Sequence, residues 1–431
     1  MFHPTEPYHA AEYHSLFWIN SDYKRVADRT NTYAIKLLQS GKQVQGWVEP
    51  TNTAEIKALF GLQIYMSIKR HMGGYQGYWE AAPSGDDWVK ALFTKQRYCA
   101  LRRMLHVADE TDFRDGQDDP TDPTLKVKIW NDLLNAWVLS KWLPGSIICI
   151  DESMTKATGS RVPGKQRMPD KPIDVGNKTF SAVDNLDMPF YAHLYHGKRP
   201  EEAAHMSLSL HVIQNVLGKL QTTGHTIVAD NWYGSPQAME AIQIAGHNSI
   251  LMMRVPAPLK LNSPLHQTSP VHKLKLLMDT TKDHGVSISG YLPDNNCMIN
   301  LWRDNKVVVM LTDVCDGVIT GRTVRRQKRG TRGLDVPSSQ VVELYNKYKS
   351  FVDRNNEKHA EGDTQTAYRR WWVRNFWNGP VIRADHCGWA AMLHRGHRHL
   401  SCREFRMELA VWQVEEYQAS KGRLLLAVTT N

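Results

Sequence analysis

Hydrophobic and polar positions change their rhythm twice along this chain. Up to residue 145 apolar residues recur at helical spacing, as in "AEIKALFGLQIYMSIKRH" (54–71) and "WNDLLNAWVLSKWLPG" (130–145), the second stopped by Pro144 and Gly145. The acidic, proline-bearing "DETDFRDGQDDPTDPT" between them reads as a surface loop. From residue 146 the period shortens to that of strands. Ile147, Ile148, Cys149 and Ile150 form a buried run that ends by delivering Asp151 and Glu152 into polar sequence. "NKTFSAVD" (177–184) and "PFYAHLYH" (189–196) are two more short strands. Met206, Leu210, Ile213, Leu217 and Leu220 then mark one helix face, with Gly224 closing it. "TIVAD" is a second buried strand, ending in Asp230. Ser235 and Pro236 open the next helix, and "NSILMMR" (248–254) closes the segment as a strand.

Over 146–254 the order is therefore strand, strand, strand, helix, strand, helix, strand, with carboxylates at the ends of the first and fourth strands. That order matches the RNase H-like fold, in which the fourth strand lies beside and parallel to the first. Asp151 and Asp230 would then meet at one sheet end, where open α/β sheets build their sites. Residues 255–338 read differently, with proline and serine breaks and then strand candidates "HGVSISGY", "NCMINLWRD" and "KVVVMLTD" ahead of a basic run, "GRTVRRQKRGTRG". A helical pattern returns at 338–361, and the tail is helical and rich in Trp and Arg.

Composition narrows the class. A hydrophobic fraction of 42% with 23% charged residues excludes a disordered chain, and 431 residues predict two or three folding units. No apolar run reaches the length of a membrane span, and the N-terminus shows no basic-then-apolar leader, so an intracellular protein is expected. The six cysteines are dispersed without a CxxC pair, which fits free thiols in a reducing compartment. The formal charge of +9 suits a polyanionic partner. Lys165, Arg167, Lys171 and Lys178 follow the first carboxylate-bearing strand, where a phosphate backbone would pass; the alternative is a solvated face. Arg322, Arg325, Arg326, Lys328, Arg329 and Arg332 suit either a DNA-gripping loop or a nuclear localisation signal. Trp371, Trp372 and Trp377 interleave with Arg369, Arg370 and Arg374 at spacings of core packing rather than base stacking. His205, His211 and His225 have no zinc-ligand spacing. Glu152, next to Asp151 on a strand, points to the opposite face, where a salt bridge is expected. Asn231 and Trp232 are expected to fix the turn after Asp230, with contact to a flipped base as the alternative for Trp232.

With those residues identified, the chain resembles the piggyBac family of transposases over nearly all of its length. "TNTYA", "WVEPTNTAEIKALFGLQIYMSI" and "RYCALRRMLHVAD" follow the family's order of landmarks. "IDESM" with "MPDKPIDVGNK", then "ADNWYGS", then "YNKYKSFVDRNNE" with "RRWW" are similar to its three catalytic blocks. The resemblance implies an α/β fold: an RNase H-like catalytic core (146–254) with a β-rich insertion and basic loop (255–338), a segment returning the third Asp (339–358), and flanking helical regions (1–145 and 359–431) that join for dimerisation and DNA binding. It implies a catalytic and metal-binding triad of Asp151, Asp230 and Asp353. Two Mg²⁺ ions, with Mn²⁺ as substitute, would support cut-and-paste cleavage and joining of double-stranded DNA at TTAA targets by a nuclear homodimer. Lys165, Arg167, Lys171, Lys178, Arg325, Arg326, Lys328 and Arg329 would contact that DNA. Three departures point to the competing reading, a DNA-binding relative without catalysis. Ser350 and Phe351 replace a usual Gly pair, Asn356 replaces a usual Asp, with Glu357 a partial substitute, and the usual C-terminal zinc module is missing.

Overall fold

Helices fill the first third because its apolar positions recur every three to four residues, and polar side chains cap several of their starts. In the computed structural model these are α1 (Ala10–His14), α2 (Asn20–Gln39), α3 (Thr53–Ile68), α4 (Gly74–Gly77), α5 (Asp87–Leu92), α6 (Lys95–Met104) and α7 (Leu125–Lys141). Residues 9–422 are described apart from 114–117, 120, 158, 160, 170, 198–205, 255–269, 282, 294–295, 316–318, 327–333, 364–369 and 396–398. Asn52, Asp86 and Thr94 accept the backbone N–H three residues on and so cap α3, α5 and α6.

β1 (Ile147–Lys156), β2 (Lys165–Arg167), β3 (Val175–Asp184) and β4 (Tyr191–Leu194) follow, then α8 (Leu208–Leu217), β5 (Thr226–Gly234), α9 (Pro236–Ile244) and β6 (Asn248–Met253). Next come α10 (Pro270–Thr280), β7 (Ser287–Leu292), β8 (Cys297–Arg303), β9 (Val307–Thr312), β10 (Ile319–Arg326) and β11 (Leu334–Ser339). The principal sheet runs β2-β3-β1-β5-β6-β9-β8-β7, with β4 also paired to β3. Among the described residues the parallel pairs are β1 with β5 and β5 with β6. The strands expected as an insertion do not form a separate sheet among the described residues. β9 pairs antiparallel with β6, from Ile250 with Thr312 to Met253 with Val309, so β7 to β9 widen the sheet that carries Asp151 and Asp230. β10 and β11 make their own two-stranded ribbon.

The helical reading of 338–361 is interrupted. α11 (Gln340–Tyr348) and α12 (Phe351–Gly362) are separate helices that break at Lys349 and Ser350. The tail continues as α13 (Trp371–Phe376), a π-helical turn at Trp377–Val381, α14 (Ile382–Arg395) and α15 (Cys402–Ser420). Pro380 lies in that turn, where the wider π spacing accommodates its missing N–H.

The two ends of the chain fold together. Every residue of α3 from Glu55 to Ser67 is buried, because the helix is apolar nearly all round and is covered on several sides. Gln413 Nε2 of α15 donates to Tyr23 Oη at 2.7 Å, and Tyr417 Oη donates to Glu55 Oε1 at 2.9 Å. Arg97 closes the same buried network with two bonds to Glu55, at 2.8 and 2.6 Å. The helical layer is joined to the sheet by Asn135, whose side chain donates to Ala192 O and accepts from Ala192 N, both at 3.1 Å, as a strand partner would.

Gly61 sets how closely α3 and α15 approach. A Cβ there would stand 2.7 Å from Ala410 O and 2.9 Å from Gln413 Cβ, so any side chain pushes the helices apart. Gly61→Leu is expected to cost about 3 kcal/mol or more through overpacking, read as a lowered denaturation midpoint.

Candidate active site

β1 and β5 run side by side in register from Ile147 opposite Thr226 to Ile150 opposite Ala229. Asp151 and Asp230 are the next residue on each strand, so parallel pairing brings the first two predicted carboxylates together. Neither strand ends there, contrary to the sequence reading. β1 stays paired with β3 as far as Lys156, because β3 continues to offer it a partner beyond the point where β5 departs. β5 departs by bulging: Asp230 to Tyr233 span the gap between Ala229 opposite Leu251 and Gly234 opposite Met253, which only Met252 fills on β6. A bulge of this kind frees side chains from the pleat and re-aims them.

Backbone N–H groups orient both carboxylates. Asp151 Oδ1 accepts from Glu152 N at 2.7 Å, and Asp230 Oδ1 accepts from Trp232 N at 2.8 Å. The third carboxylate arrives from the break between α11 and α12. Cys149, two residues before Asp151 and so on its face of β1, donates its thiol hydrogen to Lys349 O at 3.4 Å. Phe351 and Val352 pack on Cys149 and Val183. That docking places Asp353 in the first turn of α12, where the helix dipole favours an anion.

Two buried groups nearby feel all three carboxylates. Burial pushes the Cys149 thiol up, and Asp151, Asp353 and Asp230 all add to it. The Tyr345 hydroxyl is raised first by burial and then by the same three carboxylates together with Cys149. The Asp151 carboxyl is pushed up to about 8 by burial, then by Glu152, against the opposing pull of Lys171. Asp230 is raised by burial, offset by its bond from Trp232 N and raised again by Glu152. Among the described residues neither Asp151 nor Asp230 has an ion-pair partner within 4 Å.

The donor set is all carboxylate oxygen, the chemistry that hard divalent cations take, and the uncompensated charge at Asp151 is what a cation would relieve. As the side chains lie, no three His, Cys, Asp or Glu groups among the described residues stand close enough to enclose an ion. The residues present thus fit a divalent ion by the chemistry of their donors.

The basic residues divide. Lys165 and Arg167 are exposed on edge strand β2, with Lys165 Nζ also reaching Gly159 O at 2.9 Å. Lys178 is a correction to the expected phosphate rail. It is 8% exposed, because it points inward from central strand β3, and its Nζ stands 3.8 Å from Glu152 Oε1. Lys171, half-buried, stands 3.9 Å from the same oxygen. Glu152 thus makes the salt bridges its strand position predicts. Arg325 and Arg326 belong to β10, their backbones opposite Asp335 and Leu334; Lys328, Arg329, Arg332, Arg369 and His205 lie outside the described residues. Trp377 is buried in the core, as its spacing predicts, and Trp372 lies beneath the Arg370 guanidinium at 4.9 Å. His225 bonds Gly145 O and His211 bonds Asn215. Asn231 holds the Arg254 side chain at 3.1 Å.

Sequence reasoning did not single out Cys149 or Tyr345 as parts of the site. For Cys149 a signal existed: residues two apart on a strand share a face, so it had to lie on the side of Asp151.

With this geometry in place, two comparisons bear on the chain. A solved structure titled as the piggyBac transposase synaptic complex with hairpin DNA superposes with a TM-score of 0.77 at 19% identity, covering 98% of this chain and 83% of that one. The likeness establishes a shared fold from helical flanks through the widened sheet. The family model described as Transposase IS4 matches residues 9–379, which takes in all three carboxylate-bearing segments. This chain belongs to the family described as Transposase IS4, DDE-type transposases.

Proposed function

We propose that the chain cuts and joins DNA in a metal-dependent, cut-and-paste reaction at the site formed by Asp151, Asp230 and Asp353, on a core of RNase H-like topology. The observation that carries this is the placement of Asp151 and Asp230 side by side after the paired β1 and β5, with the start of α12 docked on Cys149 of β1 through Phe351 and Val352. Asp151 and Asp230 would hold the cations from adjacent parallel strands, with Asp353 supplied from the first turn of α12. A divalent cation such as Mg²⁺ or Mn²⁺ held there would supply acidity to the attacking water or sugar hydroxyl and charge to stabilise the leaving oxygen of the phosphodiester. The chain's own part is orientation: the N–H groups of Glu152 and Trp232 hold one oxygen of each carboxylate, leaving the other free to turn toward the ion. Exposed Lys165 and Arg167 flank this end of the sheet and contact phosphates, and the Arg325 to Arg329 stretch extends that contact. The DNA is double-stranded, carrying element ends and TTAA targets, and the working form is a nuclear homodimer. Among the described residues no helix is long and apolar enough to cross a membrane.

A second reading, DNA binding without cleavage, draws on Asn356 at the place of a usual carboxylate and on the open arrangement of the three aspartates. Incubation with DNA carrying candidate terminal repeats separates the two. Cleavage in Mg²⁺ or Mn²⁺ that stops with EDTA supports catalysis, and retained binding with no cleavage in either ion supports the alternative. Replacing both Lys165 and Arg167 with Ala is expected to weaken binding uniformly across sequences. The log–log salt dependence should flatten by about 0.9 for each phosphate no longer neutralised.

A further inference from the structure

The two peptide groups that aim the catalytic carboxylates belong to Glu152 and Trp232, and the side chains of those same residues are tied to one another through a third. Lys178 Nζ stands 3.8 Å from Glu152 Oε1 and 4.2 Å from the centre of the Trp232 ring. It also lies 4.8 Å from the Phe180 ring, which stacks on Trp232 at 5.5 Å and 18° and sits directly opposite Glu152 in the β1–β3 register. From the β5 side Tyr233 Oη donates to Glu152 Oε2 at 3.4 Å. The cluster therefore joins β1, β3 and β5 at the level where β5 bulges and parallel pairing has ended. The β1–β5 ladder does not continue past Ile150 and Ala229. Side chains have to hold the two carboxylate-bearing backbones there: Tyr233 makes one direct tie from β5 to Glu152, and Lys178 makes a second that reaches both the Glu152 carboxylate and the Trp232 ring. A buried ammonium suits the task, since it offers one charge to a carboxylate and the same charge to an aromatic face.

We propose that Lys178 is a positioning residue, an ammonium clamp that ties Glu152 to Trp232 and thereby fixes the spacing of Asp151 and Asp230 at which a divalent cation binds. The proposal rests on reading this site as a divalent-cation site, and it replaces phosphate contact as the role of this lysine.

The sign of one measurement separates the clamp from the alternatives. Removing a positive charge beside a cation site tightens cation binding if charge alone acts. Loss of a clamp loosens it, by about 10-fold to 100-fold if it acts as other outer-shell groups of metal sites do. Mn²⁺ binding to the full chain is followed by electron paramagnetic resonance for wild type, Lys178→Met, Lys178→Arg and Trp232→Leu, with thermal melts to confirm folding. The clamp predicts weaker Mn²⁺ binding in Lys178→Met and in Trp232→Leu, which changes no charge, recovery in Lys178→Arg, and DNA affinity and salt slope unchanged in all three. Mn²⁺ binding that stays equal or tightens in folded Lys178→Met overturns the clamp, as does a loss of DNA affinity with Mn²⁺ binding intact. Should Lys178→Met fail to fold, Trp232→Leu decides in the same way. A wild type that binds no Mn²⁺ overturns the cation-site reading and the clamp together, a result distinct from any in which only the variants depart.

Discussion

Asp151→Asn is expected to abolish metal-dependent DNA cleavage while leaving DNA binding at the wild-type level. The amide keeps the size of the carboxyl and can still accept from Glu152 N, so the strand and its 2.7 Å bond have no reason to move. It loses the negative charge, and a neutral amide oxygen is a poor ligand for a hard cation. If cation chemistry contributes several kcal/mol to the barrier, the cleavage rate falls on the order of 10³-fold or more. The same change should raise, not lower, the melting temperature in EDTA. Burial and the nearby Glu152 already hold this carboxyl above its usual range, so removing the ionisable group relieves the folded state of a charge it accommodates badly. A single-turnover cleavage assay beside a melting curve checks both. Cleavage by Asp151→Asn at wild-type rate would remove Asp151 from the chemistry.

Phe351→Ala has the next largest expected effect, and it acts on the third carboxylate without touching it. Phe351 stands where the family resemblance leads one to expect glycine, and the structure shows what a large ring does there. It is buried against Cys149, Val183 and Val352, edge-on to Tyr348, with the Arg354 guanidinium 4.7 Å above it. Arg354 in turn reaches Asp187 at 3.0 Å, across the turn after β3. Truncation should cost about 3–5 kcal/mol of stability, the usual range for a buried Phe→Ala. Asp353, two residues on, is then deprived of the packing that seats the start of α12. Denaturant unfolding should show the lowered midpoint, and cleavage should fall by more than the loss of folded protein explains. A variant with lowered stability and unchanged cleavage per folded molecule would show that Asp353 is positioned by Val352 and the helix alone.

Much of this arrangement was legible from the spacing of residue types. "CIDE" and "VADN" each end an apolar run in acid, and two such runs separated by a helix point to parallel neighbours, which is how β1 and β5 pair. The cap at Ser235 was legible for the same local reason. What escaped depends on partners far away in sequence. β1 reads as stopping at Ile150 because polar residues follow, yet β3 pairs with it on to Lys156, and no local pattern reports that. β7 to β9 read as a separate unit because proline and serine precede them; only the pairing of β9 with β6 shows that they extend the same sheet. Lys178 reads as a surface cation by type. Its burial follows from Glu152 facing it across the strands, a relation of register rather than of sequence.

The burial of α3 has a consequence for how the chain is made. Its covering helix, α15, begins at Cys402, some three hundred residues after α3 ends at Ile68. At synthesis rates of roughly 5–20 residues per second, α3 exists for tens of seconds before its partner leaves the ribosome. For most of that interval a helix with apolar side chains nearly all round has only α2 and the other N-terminal helices to pack against, until α12 and the Phe376–Trp377 segment follow. The nascent chain is thus a client for chaperones by construction. Truncations that remove α15 should accumulate in the insoluble fraction even though they spare every residue of the carboxylate site.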